Sequence, residues 1–275
     1  MQQKAFGKDG PLVAVIGQGT WPLPDRDALR LGISLGMTHI DTAEMYGEGR
    51  SEEIVGEAIR GTPREKLFIV TKVLPHNAHA KGVRRSCERS LKRLGLDFVD
   101  CYLLHWRGDV PIEETMAAFE RLVDDGLTRS IGVSNFDPWD LNEAAGALAT
   151  RRLACDQVLY NLAERTVEDH ELPWAQTYDC AIVAYTPFGR PPLDTKKKKY
   201  GLLGGIAKRH GTSAAAVALA FLTRDRHVFA IPKASRPEHV KANAQAGELE
   251  LDNEELRAID AAFPKRRRSG ELPSN

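Results

Sequence analysis

The chain has 275 residues, 42% hydrophobic and 28% charged, with 38 basic and 38 acidic side chains that cancel to a formal net charge of zero. These are the proportions of a soluble globular domain, at a length that suits one large α/β unit. The balance of charge excludes a global pull towards nucleic acid or an anionic membrane.

No apolar run approaches the roughly 18 residues of a spanning helix. Met1-Gln2-Gln3-Lys4 leads into no apolar signal core. Cys87, Cys101, Cys155 and Cys180 lie far apart with no Cys-x-x-Cys. The expectation is a cytoplasmic protein with reduced, structural thiols, no metal, and neither nucleic acid nor membrane as partner.

From the N-terminus, Leu12 to Ile16 is a short apolar run, and Lys4 to Ile16 can fold as a hairpin. A first strand is expected near Ile16–Gly19 and a helix over Asp25–Gly36. Strand patterns then recur at His39–Asp41, Leu67–Val73, Phe98–Leu104, Ser130–Val133, Ala154–Val158, Ala181–Ala184 and Val228–Ile231. Helical patterns alternate with them at Glu52–Arg60, Gly82–Leu94, Ile112–Asp125, Trp139–Thr150, Glu168–Thr177, Ala214–Thr223 and Pro237–Gly247. Ser51 ahead of Glu52 and Glu53 reads as a helix N-cap. Runs such as Phe68-Ile69-Val70 are apolar on both faces, as buried parallel strands require. Eight strand–helix units predict a closed (β/α)8 barrel, with the N-terminal hairpin capping its floor. Residues 1–275 form a single domain on this reading. Pro191–Tyr200, with lysines at 196 to 199, reads as an exposed loop. Residues 264–275 read as a loose basic tail.

Four reactive side chains fall at or just after three successive strand ends: Asp41 and Tyr46, then Lys72, then His105. Strand ends are where such a barrel builds its active site. Carbonyl reduction needs a proton for oxygen as hydride reaches carbon. Tyr46 is a suitable acid, but a free phenol titrates near 10. Lys72 is expected to lower that value, Asp41 to hold Lys72 by an ion pair, and His105 to orient the carbonyl. Each residue alone has a plain structural explanation; together, on consecutive strand ends, they point to chemistry.

The chain resembles the aldo-keto reductases along nearly its whole length. The resemblance rests on Gly19-Thr20-Trp21, Ile40-Asp41-Thr42-Ala43-Glu44-Met45-Tyr46-Gly47, Thr71-Lys72-Val73, Leu103-Leu104-His105-Trp106 and Gly132-Val133-Ser134-Asn135-Phe136. It continues in Asp156-Gln157-Val158-Leu159-Tyr160, Ala184-Tyr185-Thr186-Pro187-Phe188 and Ile231-Pro232-Lys233-Ala234-Ser235. It implies a barrel that binds NADPH, or less often NADH, without a Rossmann fold. Asp41, Tyr46, Lys72 and His105 become the catalytic tetrad.

For the cofactor, the resemblance implies Thr20 and Trp21 at the first strand end. Ser134, Asn135 and Gln157 fall on the nicotinamide carboxamide, and Tyr185 on its ring. Thr186, Phe188 and Arg190 fall on the pyrophosphate, and Lys233, Ser235, Arg236, His239 and Asn243 on the adenosine 2′-phosphate end. Two departures stand out: His239 where many members have arginine, and Ala242 beside Asn243 where many have an acid, so NADH use is possible. Trp21, Met45, Leu74 and Trp106 are expected to line the mouth, open because the C-terminus is short. The activity implied is NADPH-dependent reduction of small aldehydes and 2-oxo carbonyls such as methylglyoxal, by a monomer. The alternative is a cofactor-sensing regulatory subunit with little turnover.

Overall fold

A computed structural model describes residues 1–190, 198–268 and 272–274, without the side chains of 198 and 199. The two short N-terminal strands, β1 (Gln3–Ala5) and β2 (Leu12–Ala14), pair antiparallel as the expected hairpin. Eight strands follow: β3 (Gln18–Gly19), β4 (His39–Asp41), β5 (Phe68–Val73), β6 (Val99–Leu104), β7 (Thr128–Ser134), β8 (Leu153–Leu159), β9 (Ala181–Tyr185) and β10 (Val228–Ala230). They lie in chain order, each parallel to the next. The sheet closes on itself where Ile16 bridges Ala230 in parallel and Gly17 N–H donates to Ala230 O at 2.8 Å. This is the (β/α)8 barrel expected from the alternation.

Helices α1 (Arg26–Ser34), α2 (Arg50–Ile59), α3 (Ala80–Leu94), α4 (Ile112–Asp124), α5 (Pro138–Gly146) and α6 (Glu171–Tyr178) each follow one strand. Helices α7 (Lys198–Arg209) and α8 (Ala214–Leu222) both lie between β9 and β10, and α9 (Pro237–Ala246) and α10 (Asn253–Ala262) complete the chain. Alternating residues of each strand divide between two cores. Ile69, Val73, Tyr102, Leu104, Val133, Val158 and Ile182 pack outward against the helices. Phe68, Val70, Cys101, Leu103, Cys155, Val183 and Phe229 pack inside the barrel with Phe6 and Val13 of the hairpin. The floor is aromatic: Phe6 lies 4.6 Å from Phe68, 5.0 Å from Phe229 and 5.7 Å from His39, centroid to centroid. Burial, with Lys72 adding to it, pushes the His39 imidazole down to about 3, so this histidine is a neutral floor ring.

That period of two also delivers the site. The next inward position above His39 is Asp41, above Val70 is Lys72, above Leu103 is His105, above Cys155 is Gln157 and above Val183 is Tyr185. Gly132 allows the tight interior packing below Ser134, since a Cβ there would meet Cys155 O at 2.6 Å.

Four local expectations are corrected. Helix α2 begins at Arg50 behind Gly49, whose φ of 92° suits glycine, so Ser51 is not the cap; its hydroxyl instead donates to Thr20 Oγ1 at 2.8 Å. The helix expected to reach Thr150 ends at Gly146. The pattern at 168–177 splits into a 3₁₀ turn over Thr166–Asp169 and the helix α6. Lys198–Tyr200, expected within a loop, opens α7, which the sequence disguised behind lysines and three glycines that disfavour a helix. Any role of the lysine run as a whole falls outside the described residues.

The basic tail is also not loose where it is described. Arg268 donates to both Glu171 oxygens at 2.7 and 2.6 Å, and Glu171 is fully buried. Lys265 pairs with Asp169. A carboxylate buried in its charged form needs a partner, and a count of charges along the chain does not reveal that Arg268 supplies it for Glu171.

Candidate active site

A cleft of about 920 Å³ opens at the carboxyl ends of the strands. At its base Lys72 is fully buried and all three ammonium protons are placed: on Asp41 Oδ1 at 2.6 Å, on Thr42 O at 2.8 Å and towards Tyr46 Oη at 3.3 Å. The other Asp41 oxygen accepts from Gln157 Nε2 at 2.7 Å. Burial opposes charge on Lys72, but Asp41 and Tyr46 outweigh it and hold the ammonium above its ordinary value. Burial likewise lifts the Asp41 carboxyl, against the pull of Lys72 and the Gln157 hydrogen bond.

Tyr46 follows the same logic with a result that differs from expectation. Burial raises its phenol and Lys72 only partly offsets that, so the net direction is upward, not down. The His105 ring stands edge-on to the Tyr46 ring, 5.6 Å between centroids. Burial, then the charge of Lys72, drives its imidazole down to about 2, so His105 is neutral. An acid that retains its proton and a neutral imidazole line one cleft, with a fully buried cation behind the acid's oxygen. That set can deliver a proton to a carbonyl oxygen while orienting it by a hydrogen bond.

Residues outside the tetrad hold these groups in place. Thr20 Oγ1 donates to Asp41 O at 2.8 Å, so the hydroxyl of this expected cofactor contact is used within the protein, although the residue lines the cleft. Asn135, at φ 60°, donates to His105 O and Ser134 Oγ, both at 3.1 Å, and accepts from Tyr185 Oη at 2.7 Å. Thr186 is also left-handed, at φ 50°. Two non-glycine residues held in that region mark a wall fixed by its surroundings. Glu44, buried between Asp41 and Tyr46 in the chain, accepts from Leu74 N–H at 2.8 Å and Asn77 Nδ2 at 3.0 Å.

The structure gathers Thr20, Trp21, Asp41, Met45, Tyr46, His105, Trp106, Ser134, Asn135, Gln157, Tyr185, Thr186, Phe188, Arg190 and Lys233 around the cleft. Arg190 lies 4.2 Å over the Trp21 ring. Leu74 is not part of the lining: its N–H is tied to Glu44 and Pro75 then turns the chain into a 3₁₀ turn. Ser235, Arg236, His239 and Asn243 stand outside the cleft, on the ledge where α9 begins beyond Lys233. Sequence reasoning missed Arg107, Asp137 and Asp140, and Leu272 and Ser274 of the tail, which also line the cleft. The available signal was position: Arg107 follows Trp106 and Asp137 follows Phe136, just past strand ends.

The model of the Aldo/keto reductase family matches residues 16–263. The chain belongs to the aldo/keto reductase family. It is an oxidoreductase by that membership, and the sequence resemblance is upheld. It is 42% identical to Methylglyoxal reductase YeaE of Escherichia coli (strain K12) over 274 residues, 96% of each chain. It is 31% identical to Methylglyoxal reductase DkgB of Escherichia coli O157:H7, over 90% of this chain and 92% of that one. Among solved structures it matches an aldo-keto reductase from Klebsiella pneumoniae in complex with NADPH at TM-score 0.91 and 39% identity, over 100% of both chains. Among the described residues no helix is long and apolar enough to cross a membrane.

Proposed function

We propose that this chain reduces small aldehydes and 2-oxo carbonyls, methylglyoxal among them, with NADPH as the reductant. The observation that carries this is Lys72, fully buried, with Asp41 at 2.6 Å and the Tyr46 oxygen at 3.3 Å at the base of an open cleft. Purely structural ion pairs have no need of a phenol beside them facing a cavity.

The residues present fit the cofactor. Asn243 is buried with Nδ2 unpartnered, beside a ledge carrying Lys233, Arg236 and His239. Lys233, Ser235, Arg236, His239 and Asn243 would hold the adenosine 2′-phosphate end, and the N-terminus of α9 adds its partial positive charge. Thr186, Phe188 and Arg190 would flank the pyrophosphate. Tyr185, Ser134, Asn135 and Gln157 would seat the nicotinamide, with Thr20 and Trp21 at the opposite edge. When bound, NADPH supplies the hydride that reaches the carbonyl carbon.

The chain's own groups do the rest. Tyr46, kept protonated by burial, gives its proton to the carbonyl oxygen. Lys72 limits the cost of the phenolate left behind. Asp41 keeps Lys72 charged and in place. His105, being neutral, donates a hydrogen bond to the carbonyl oxygen without placing a second cation beside Lys72. Trp21, Met45 and Trp106 shield the reacting carbon from water.

The test is cofactor oxidation with methylglyoxal and a panel of aldehydes, run with NADPH and NADH in parallel. Turnover that prefers NADPH is expected. Tight NADPH binding with no turnover on any carbonyl would move the assignment to a regulatory subunit, and absence of NADPH binding would end the cofactor assignment.

A further inference from the structure

The ledge at the start of α9 carries an arrangement that charge counting does not explain. Arg236 Nη2 lies 2.8 Å from His239 Nε2. Arginine has no acceptor, so the imidazole nitrogen must be the unprotonated partner. The same arginine reaches Glu238 Oε1 through Nε at 3.3 Å. Lys233 Nζ donates to Ser235 Oγ. Arg236 is the N-cap of α9 but gives no side-chain capping bond, and Pro237 follows. One turn beyond His239 on the same helix, Asn243 is 2% exposed with Nδ2 unpartnered.

Lys233, Ser235, Arg236 and His239 thus satisfy one another at an uncapped helix start, beside a buried donor with nothing to bind. A dianion would take Arg236 and Lys233 away from these partners. Once Arg236 turns to the anion, His239 Nε2 loses its donor and is free to take a proton from solvent.

We propose that His239 is a proton-dependent determinant of the choice between NADPH and NADH: binding the 2′-phosphate pulls Arg236 off His239, and the imidazole takes up a proton and becomes a third cation on the phosphate. This rests on the reading that the ledge holds the 2′-phosphate. NADH, with no phosphate there, leaves the Arg236–His239 bond intact and takes up no proton. The preference for NADPH therefore strengthens as pH falls.

Other charges near the imidazole do not supply this dependence. On α9 they are Arg236, Glu238 and Lys241, and before it Lys233. The helices that pack most extensively against α9 are α1 and α8. Helix α8 carries no titratable side chain. Helix α1 contributes Arg26 and Asp27, paired with each other, and Arg30, bonded to Glu57 O. The 2′-phosphate itself titrates near 6, which is why the control must keep the phosphate and remove only the imidazole.

The experiment measures dissociation constants of NADPH and NADH by intrinsic fluorescence for the wild type, His239→Arg and His239→Gln. It is joined by calorimetry in two buffers of different ionisation enthalpy, which counts protons taken up on binding. In the wild type the ratio of the NADH to the NADPH constant should rise by about tenfold from about pH 8.5 to about pH 6.5, the span above an ordinary imidazole value. Between zero and one proton should be taken up with NADPH near neutrality, and none with NADH. In both variants the ratio should follow only the slight titration of the phosphate over that span, without the tenfold rise, high in His239→Arg and low in His239→Gln. A flat ratio in the wild type, or equal proton uptake by wild type and His239→Arg, overturns the inference. A wild type with no preference for NADPH at any pH overturns the underlying 2′-phosphate assignment instead.

Discussion

The base of the cleft and the α9 ledge use the same kinds of group under opposite conditions. Lys72 and Asp41 are 0% and 1% exposed, and their charges are fixed by geometry before any ligand arrives. Lys233, Ser235, Arg236 and His239 are exposed and bond to one another. In the interior, low dielectric makes each misplaced charge expensive, so the pairing has to be complete. On the ledge, water and salt screen every contact, and partners can be exchanged. The buried end suits chemistry that requires fixed groups, and the exposed end suits recognition that must be reversible.

The largest effect should come from Tyr46→Phe. Loss of a positioned proton donor should lower kcat by about 10²- to 10⁴-fold, while the NADPH dissociation constant stays within about threefold, because the ledge is untouched. Retention of most of the rate would show that Tyr46 is not the acid.

Next is Lys72→Met. Removing the cation leaves Asp41 buried and unpaired, a loss of roughly 3–5 kcal/mol in denaturant unfolding. The double variant Asp41→Asn/Lys72→Met should recover most of that stability and none of the activity. If it recovered no stability, the pair would not be the source of the loss.

The ledge answers differently. Arg236→Ala should weaken NADPH by about tenfold and leave NADH unchanged. Rising salt should erase part of that difference. An equal loss for both cofactors would place Arg236 on something other than the 2′-phosphate.

How much of this was legible in the sequence follows the same division. The barrel interior was readable because period-two alternation and strand-end motifs place Asp41, Lys72, His105, Gln157 and Tyr185 at successive inward positions. Their net energetics were not: Lys72 was expected to bring Tyr46 down, but burial is a property of three dimensions and it prevails. Arg268 looked like one cation in a solvated tail, because its partner Glu171 lies 97 residues away in the chain. Leu74 looked like a pocket residue by neighbourhood, but the Glu44 contact and the turn that Pro75 begins take the chain away there.

The smallest effect concerns Asp156, the neighbour of Gln157 on β8. It is fully buried, and burial, with the charges of Glu171, Asp140 and Asp137, holds its carboxyl well above the usual range. Raised in the folded state, it keeps its proton where the unfolded chain has lost it. The native form therefore binds more protons above the unfolded value, and stability falls as pH rises, by at most about 1.4 kcal/mol per pH unit until the folded value is passed. Asp156→Asn removes that titration while keeping the shape. Its stability relative to wild type should be higher at about pH 8 than at about pH 5, by on the order of 1 kcal/mol or more. An equal difference at both would mean that Asp156 is ionised in the folded protein, with a counter-charge that holds it so. The outcome also separates the two faces of β8: Gln157 beside it serves the cleft, and turnover in Asp156→Asn should remain within about threefold of wild type, as expected for a side chain that faces the helices.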